Sequence, residues 1–363
     1  DPIVLKQSTP CGRAFICELV ETFSLSADPA ANTTTMLDVD PPKPPNLDEL
    51  IDKIRIGPLP SHQHSQVRSL LMRHWSVFQW DSTRIGRTNL VEHHIPTGSN
   101  KPVQIHQYPI PSIARESLNR QVNEMLNLGV ISSSVSPWRF PVLMVKKILE
   151  DGTIDYRFCI DLRGLNELTD RDGYSLPRID QIPESLSGSI FFAKLDVDRA
   201  YWQVPLAAED RQKTAFLINN QLYEFNVMPF GAMNAPATFQ RLMDRVLHGL
   251  NWVQCLVYID DVLIFSKSFD QHLRDIELVL CRIESAKLLI KPTKCFFAAD
   301  SVEFLGYRVS ANGVQISSKK LEAILKVPPP SSSKRLYSFL CSLNYYRRLI
   351  PNFGEISSLL YDL

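Results

Sequence analysis

Two adjacent carboxylates, Asp260 and Asp261, lie between two runs of apolar, β-branched and aromatic residues. The runs are Val257–Ile259 and Val262–Phe265, and this composition is typical of β-strands. Two strands joined by so short a link form a hairpin, so both acids lie at its tip. Like charges at such a tip repel each other, and a divalent cation would offset that repulsion. The pattern therefore predicts a hairpin that binds metal at its tip.

A third carboxylate, Asp196, ends the strand-like run Ile190–Asp196. Enough chain follows it to form a helix and return, so the two strands can lie side by side. Hard carboxylate oxygens suit Mg²⁺, which usually also contacts a substrate phosphate. Two such ions can steady the attacking and leaving oxygens of a phosphoryl displacement. For Asp260 and Asp261 taken alone, an ordinary turn is the alternative, because Asp is common in turns.

The composition is that of an ordinary globular protein, with 44% hydrophobic and 21% charged residues in a chain of 363. This length accommodates two or three subdomains. The sequence contains no apolar run of about 18 residues, so no membrane span is expected. Residues 1–6 lack the layout of a signal peptide, and the missing initiator Met suggests a fragment of a longer chain. The formal net charge is zero, so any basic surface that contacts nucleic acid must be local.

The seven cysteines are scattered along the sequence and form no Cys-x-x-Cys pair. This usage argues for a reducing compartment and against both a disulfide framework and a zinc site. A cytoplasmic location is therefore expected.

Many short motifs occur in the order typical of one family, and together they cover residues 65–363. The chain resembles the reverse transcriptase of gypsy-type (Metaviridae-like) LTR retrotransposons, a segment of their Pol polyprotein. The motifs are Ser136-Pro137-Trp138, Val145-Lys146-Lys147, Tyr156 to Asn166, Tyr174 to Asp180, Lys194-Leu195-Asp196, Lys213 to Phe216, Met228-Pro229-Phe230-Gly231, Asn234 to Gln240, Tyr258-Ile259-Asp260-Asp261, Phe304-Leu305-Gly306 and Asn344 to Arg348.

The resemblance implies an α+β right-hand polymerase fold with fingers, a palm whose antiparallel sheet is backed by helices, and a partial thumb. Residues 1–60 are expected to be a weakly ordered linker from an upstream polyprotein domain, since they are polar and proline-rich. Residues 61–110 are expected to pack on the body, 111–190 to form mainly fingers, 191–317 mainly palm, and 318–363 the start of the thumb. Ribonuclease H and integrase are expected to be absent.

The resemblance also implies a catalytic triad of Asp196, Asp260 and Asp261. These residues would bind two Mg²⁺ ions, with Mn²⁺ as a substitute and the backbone carbonyl of Val197 as a further ligand. Asp196 and Asp260 are expected to take the larger share of direct ligation.

Four residues resemble those that bind the incoming dNTP. Lys147 and Arg157 would hold the triphosphate, because ammonium and guanidinium groups complement phosphate oxygens; Lys146 is the alternative to Lys147. Tyr201 would crowd the 2′ position of the sugar, and an ordinary buried tyrosine is the alternative. Phe230 would lie beside the nascent base pair, where a flat ring can stack on any base.

Template and primer contacts are implied for a further group of residues. Asp161 and Arg163 would position the templating nucleotide, with a purely structural ion pair as the alternative. Gly231 would lie near the nascent base pair. Phe304, Leu305 and Gly306 resemble the primer grip, with a core strand as the alternative. The sequence departs from the family at Arg199-Ala200, where relatives often carry Ser-Gly.

The function implied is an RNA-directed DNA polymerase that copies retrotransposon RNA into DNA. Its partners would be an RNA or DNA template with primer, dNTPs and other parts of the Pol polyprotein. No membrane contact is expected, and the protein would lie in virus-like particles in the cytoplasm. One alternative is a catalytically inactive nucleic-acid-binding remnant of such a polymerase. A weaker alternative is an RNA-dependent RNA polymerase, which Tyr201 argues against.

Overall fold

The structure is a computed structural model that describes residues 43–81, 83–148, 152–178 and 182–361. Its α-helices are α1 (Leu47–Asp52), α2 (Ser61–Arg73), α3 (Arg115–Asn127), α4 (Arg163–Asn166), α5 (Ile182–Ser185), α6 (Ala235–Val246), α7 (Phe269–Ser285), α8 (Ser318–Leu325), α9 (Ser333–Asn344) and α10 (Phe353–Tyr361). Short 3₁₀ helices span Trp75–Val77, Ser112–Ala114, Ala200–Gln203, Ala208–Thr214, Pro292–Lys294 and Arg347–Leu349. No helix in these ranges is long and apolar enough to cross a membrane.

The strands form four sheets. They are β1 (Arg55–Ile56), β2 (Ile131–Ser133), β3 (Val142–Ile148), β4 (Ile154–Ile160), β5 (Phe191–Asp196), β6 (Phe216–Ile218), β7 (Gln221–Phe225), β8 (Cys255–Tyr258), β9 (Asp261–Ser266), β10 (Phe296–Ala299), β11 (Ser301–Phe304), β12 (Tyr307–Ser310) and β13 (Gly313–Ile316). Five of them build the central sheet in the order β1-β10-β5-β9-β8, and the others form β11-β12-β13, β2-β7-β6 and β3-β4.

The central sheet is apolar on both faces, because alternate residues of its strands point to opposite sides. One face packs against α6 and α7, through Ala193, Leu195, Val257, Val262 and Ile264. The other face packs against the β11-β12-β13 sheet, through Phe192, Leu256, Leu263 and Phe265. This double burial explains why β8 and β9 read as continuous apolar runs in the sequence.

Residues 47–60 form ordered elements that the sequence did not suggest. Helix α1 buries Leu47 and Ile51, and β1 pairs in parallel with β10. The expectation that residues up to 60 are weakly ordered is therefore wrong for residues 47–60. The apolar residues here are spaced for one helical face, but they are few. They also follow directly after a run of prolines, so the sequence pattern favoured a linker over a helix. Residues 1–42, the rest of that expected linker, lie outside the described residues.

The apolar spacing of residues 66–80 predicts a helix there, but the helix lies at Ser61–Arg73. Its predicted apolar face is correct, since Val67, Leu70 and Leu71 are buried. The helix ends at His74, and Phe78 is extended and bridges to Ile290. Trp75, which is partly buried, and Phe78, which is fully buried, fit a helical period but lie beyond the helix, so the apolar pattern extends past its true end.

The composition of Val142–Val145 and Tyr156–Ile160 predicts two strands, and the observed hairpin of β3 and β4 extends beyond both towards its tip. Helix α3 supports one edge of it: the Gln121 amide donates to the Tyr156 carbonyl at 2.6 Å and accepts from the Phe158 amide at 3.0 Å. This side chain completes the hydrogen bonds of an otherwise open strand edge. The turn expected at Asp151-Gly152 lies partly outside the described residues, because 149–151 are not described.

Two buried histidines predict that stability declines as the pH falls. Burial lowers the pKa of His93 and of His272 from 6.5 to about 4. The unfolded chain therefore binds these protons near pH 6.5 while the folded chain does not, so stability falls as the pH drops from 6.5 towards 4. Each histidine should contribute a loss of up to about 1.4 kcal/mol per pH unit. Denaturant unfolding of the wild type and His93→Gln across this window measures the slope, and equal slopes would contradict the prediction.

Candidate active site

The three predicted acids meet at one end of the central sheet. Asp196 ends β5 and is the direct antiparallel partner of Asp261, the first residue of β9. Directly opposed residues place their side chains on the same face. Asp260 lies in the turn between β8 and β9, and its carbonyl accepts the Val197 amide at 3.0 Å. The hairpin predicted from the sequence is therefore present, and β5 brings the third acid to it.

The turn that carries Asp260 is strained, and a side chain of α6 stabilises it. Ile259 has φ 55°, a left-handed conformation that β-branched residues rarely adopt. Its amide donates at 2.8 Å to Oε1 of Gln240, a fully buried side chain of α6. Gln240 Nε2 in turn donates to Asp244 at 3.1 Å and to the Val257 carbonyl at 3.4 Å. Strained residues at functional sites persist where neighbours fix them, and Gln240 does so here.

Replacing Gln240 by Met should weaken this support while keeping the side-chain volume. The Ile259 amide would lose its acceptor, which costs about 1–3 kcal/mol for a buried group. A displaced Asp260 should also lower any activity of the site by about 100-fold. Thermal unfolding and an activity assay measure both effects. Met243→Leu, a volume-conserving change on the same helix, is the control and should cost less than about 1.5 kcal/mol.

Two lysines pair with the acids: Lys194, which lies in the Lys194-Leu195-Asp196 motif but carries no predicted role, and Lys294, which no motif includes. Lys294 Nζ lies 3.1 Å from both oxygens of Asp196, and Lys194 Nζ lies 3.0 Å from Asp261. Burial raises the pKa of Asp196, and Lys294 partly opposes that shift. Burial also raises the pKa of Asp260, and the charges of Asp261 and Asp196 raise it further. The site therefore holds more negative charge than its surroundings stabilise.

A cleft of about 520 Å³ adjoins the acids. Its lining includes Asp260, Lys294, Arg157, Phe230, Gly231 and Arg199. The guanidinium carbon of Arg157 lies 5.6 Å from the ring centre of Phe230. The cleft thus combines carboxylates at one end with cationic and aromatic groups around it, and its volume suits a small-molecule ligand.

Tyr201 packs beside this cleft. Its ring centre lies 5.1 Å from that of Phe230 and 6.0 Å from that of Phe239. Burial raises its pKa to about 12, with a further contribution from the nearby charge of Asp260. Its hydroxyl is therefore neutral near pH 7, and its ring is fixed between two aromatic neighbours.

The register of the β3-β4 hairpin distinguishes Lys147 from Lys146. Val145 is paired with Arg157, and Lys147 with Asp155, so these four side chains share one face. Lys146 is paired with Tyr156 and lies on the opposite face. Lys147 therefore shares the face of Arg157, which lines the cleft.

The template residues named from the sequence are close together. Arg163 donates to both oxygens of the buried Asp161, at 2.9 and 2.7 Å, and these bonds lower the pKa of Asp161 to about 2. Gly231 has φ 94°, which favours glycine, and its carbonyl accepts from Asn166 at 2.9 Å. The ion pair considered as the structural alternative for Asp161 and Arg163 is thus present, and a template contact would be additional to it.

The Phe304-Leu305-Gly306 motif forms the tight turn between β11 and β12. Leu305 has φ 50° and Gly306 has φ 82°, as a two-residue hairpin turn requires. The Leu305 carbonyl accepts from the Tyr345 hydroxyl at 2.9 Å. Phe304 is only 1% exposed and packs in the second core cluster. Only the turn is therefore placed to contact a ligand, and the ring of Phe304 supports it from the core.

The three carboxylates of the triad do not all lie within 4.8 Å of one another. Within the described ranges, one group of three potential ligands has all its atoms within 4.8 Å of one another, and it consists of His94, Glu209 and Asp210. Asp210 in that group is already paired with Lys213 at 2.6 Å. At the triad, lysines provide the counter-charge instead.

Comparison with known proteins relates the chain to one family. Residues 146–309 match the family described as reverse transcriptase (RNA-dependent DNA polymerase). The Pol polyprotein of transposon 297 from Drosophila melanogaster is 36% identical over 306 residues, which cover 84% of this chain and 29% of that protein. The Pol polyprotein of transposon gypsy, from the same species, is 34% identical over 84% of this chain and 30% of its own length. The chain thus spans about three tenths of the length of these relatives.

Solved structures agree in fold. The foamy viral protease-reverse transcriptase in complex with double-stranded DNA has a TM-score of 0.77 and 25% identity, over 92% of this chain and 57% of that chain. The same viral protein in complex with an RNA/DNA hybrid has a TM-score of 0.75 and 25% identity, over 91% of this chain and 44% of that chain. The α+β polymerase fold predicted from the sequence is confirmed. The chain therefore carries a reverse transcriptase domain related to those in the Pol polyproteins of gypsy-type LTR retrotransposons.

Proposed function

We propose that the chain is an RNA-directed DNA polymerase that transfers nucleotides from dNTPs to a primer 3′-hydroxyl on a retrotransposon RNA template. The observation that carries this proposal is the register of β5 and β9, which places Asp196 opposite Asp261 and beside Asp260. Asp260 lines a cleft that also holds Arg157 and Phe230. Acids for the metal and cations for the phosphates are the parts that nucleotidyl transfer requires.

In this proposal the fingers are mainly residues 111–190, the palm mainly 191–317, and the thumb begins at 318. The β3-β4 hairpin then belongs to the fingers and the central sheet to the palm. The turn at Leu305-Gly306 would contact the primer, and the Asp161–Arg163 pair the template. The cleft between hairpin and sheet would accept the dNTP.

Divalent cations fit the acids of this site. Burial raises the pKa of Asp196 and Asp260, so added positive charge would stabilise their ionised forms. Carboxylate oxygens are the ligands that Mg²⁺ prefers, with Mn²⁺ also suited. Asp196, Asp260, Asp261 and the Val197 carbonyl would hold two such ions. When bound, the ions lower the pKa of the primer hydroxyl and neutralise charge on the pyrophosphate.

The remaining residues bind and orient the substrates. Arg157 and Lys147 would contact the triphosphate from the fingers hairpin, where a forked guanidinium can bind two oxygens at once. Phe230 would stack on the base or sugar without selecting a sequence. Tyr201, fixed against Phe230, would fill the volume that a 2′-hydroxyl needs. Gln240 would keep Asp260 in place through the Ile259 amide.

Primer extension tests the proposal directly. The full chain should extend oligo(dT) on poly(rA) with dTTP and Mg²⁺, and chelation of the metal should stop the reaction. A folded protein that binds the primer-template without extending it would contradict the proposal and favour a nucleic-acid-binding remnant. Extension with ribonucleotides alone would favour an RNA polymerase.

The two lysines of the fingers hairpin should differ in their effect on dNTP binding. Lys147→Ala should raise the KM for dTTP about tenfold or more, since a charge-assisted contact to phosphate contributes roughly 1.5–3 kcal/mol. Lys146→Ala removes the same charge from the opposite face and should change the KM by less than about threefold. Steady-state kinetics on one primer-template measure both, and equal effects would show that hairpin register does not decide the contact.

A further inference from the structure

A second group of reactive side chains lies outside the cleft, where the end of α2 and the 3₁₀ helix Trp75–Val77 meet α7. His74 follows α2, and its Nδ1 lies 3.2 Å from Oε2 of Glu284. Its Nε2 lies 4.0 Å from Sγ of Cys281, the outer limit for a hydrogen bond to sulfur. The hydroxyl of Ser76 donates to the other Glu284 oxygen. The order is carboxylate, imidazole and thiol, which is the order that activates cysteine nucleophiles.

The surroundings of His74 favour its charged form. Burial of the ring lowers its pKa, but the hydrogen bonds to Cys281 and Glu284 outweigh this effect and raise the pKa to about 9. Charged groups near the site include Arg73, which pairs with Glu277 of α7 at 3.0 Å, and Arg84, which donates to the Ser76 carbonyl at 3.0 Å. Helix α7 itself also carries Asp270, Arg274, Asp275 and Arg282.

The other described cysteines lack this arrangement. Cys255 and Cys295 are fully buried, and burial raises the pKa of each thiol to about 12. Burial also raises the pKa of Cys159. Cys341 is exposed and lies beside Tyr337. Cys281 is partly exposed as a residue, and its sulfur has an imidazole neighbour.

We propose that Cys281 is a nucleophilic thiol, activated by His74 and Glu284, which exchanges with low-molecular-weight disulfides and is thereby a site of reversible S-thiolation. The Cys281 thiolate attacks one sulfur of the disulfide and forms a new S–S bond. The original S–S bond breaks, and the departing thiolate takes a proton from solvent or from His74. No metal or further oxidant is required. The site is independent of the polymerase reaction.

Thiol reactivity measured by peptide mass spectrometry tests the proposal on the full chain. At pH 6, with oxidised glutathione as the probe, Cys281 should react at least about tenfold faster than Cys341, although Cys341 is the more exposed. His74→Gln should slow Cys281 at least about tenfold and leave Cys341 unchanged. Glu284→Gln, which keeps the hydrogen bond but removes the charge, should give a smaller reduction.

The buried thiols provide the control for folding. Cys255 and Cys295 should remain unmodified in every variant that is folded, so a variant in which they react is set aside and Glu284→Gln is used instead. A wild-type Cys281 that reacts no faster than Cys341 at pH 6 would overturn the proposal. A rate unaffected by His74→Gln and Glu284→Gln in folded protein would do the same.

Discussion

Asp260→Asn should abolish primer extension, while the protein stays folded and binds the primer-template with nearly unchanged affinity. The amide matches the carboxylate in size but lacks the charge that would hold a divalent cation. Losing about 4 kcal/mol of transition-state stabilisation corresponds to a rate about 1,000-fold lower. Extension of oligo(dT) on poly(rA) measures the rate, and fluorescence anisotropy of a labelled primer-template measures binding. Binding should change by less than about threefold.

The same variant should be at least as stable as the wild type. Burial and the charges of Asp261 and Asp196 raise the pKa of Asp260, so its ionised form is disfavoured in the folded protein. Removing that charge should leave the melting temperature unchanged or raise it. Functional residues commonly lower stability in this way. A marked fall in melting temperature would show that Asp260 is needed for the fold, and the lost activity would then say nothing about metal.

Asp270→Asn is the matched control for this experiment. Asp270 is an exposed acid in the first turn of α7, where its loss should cost only a few tenths of a kcal/mol. It should extend primer at the wild-type rate. Retention of more than about a tenth of the activity in Asp260→Asn would contradict the metal role of that residue.

Tyr201→Val should admit ribonucleotides. Removing the ring opens the volume in which a 2′-hydroxyl would lie, so the preference for dATP over ATP on poly(rU) with an oligo(dA) primer should fall about 10- to 100-fold. This corresponds to roughly 1–3 kcal/mol of steric discrimination. The ratio of kcat/KM for the two nucleotides measures it. The variant should also be destabilised, because the ring packs on Phe230 and Phe239.

Tyr201→Phe separates the ring from its hydroxyl. The tyrosine is neutral near pH 7, since its pKa is about 12, so this change removes no charge. Discrimination should be retained within about threefold if the ring excludes the 2′-hydroxyl by volume. A loss of discrimination in Tyr201→Phe, or its retention in Tyr201→Val, would show that another group selects the sugar.

The parts of the site that follow strand periodicity were predictable from the sequence. The apolar runs around Asp260 and Asp261 predicted the hairpin. For Lys147 and Lys146 the sequence left both open, and the observed register of β3 and β4 puts them on opposite faces. Apolar periodicity predicts helices over residues 113–128 and 235–250, and the observed helices, Arg115–Asn127 and Ala235–Val246, lie close to these bounds. The fold class followed from the ordered motifs, because many short matches in sequence order constrain the topology.

The groups that support the acids were not predictable, because they come from distant parts of the chain. Lys294 lies 98 residues after Asp196 in the sequence. The two residues meet only because β10, which follows Lys294, pairs with β5. Gln240 lies within a recognised motif, yet its apolar surroundings on α6 gave no sign that it holds the Ile259 amide. A two-residue strand such as β1 has no measurable hydrophobic period, so its pairing with β10 could not be predicted from the sequence.

Strand β1 has a consequence for solubility. Without β1, β10 would be an edge strand of the central sheet. Arg55 and Ile56 of β1 hydrogen-bond the backbone groups of β10 that would otherwise be free. Gly57 continues this contact, because its amide donates to the Phe297 carbonyl at 2.8 Å and a Cβ there would lie 2.3 Å from the Ala298 oxygen. An exposed apolar strand edge is a template for intermolecular pairing. A chain shortened to begin at residue 61 would keep every residue of the cleft and yet tend to aggregate through β10.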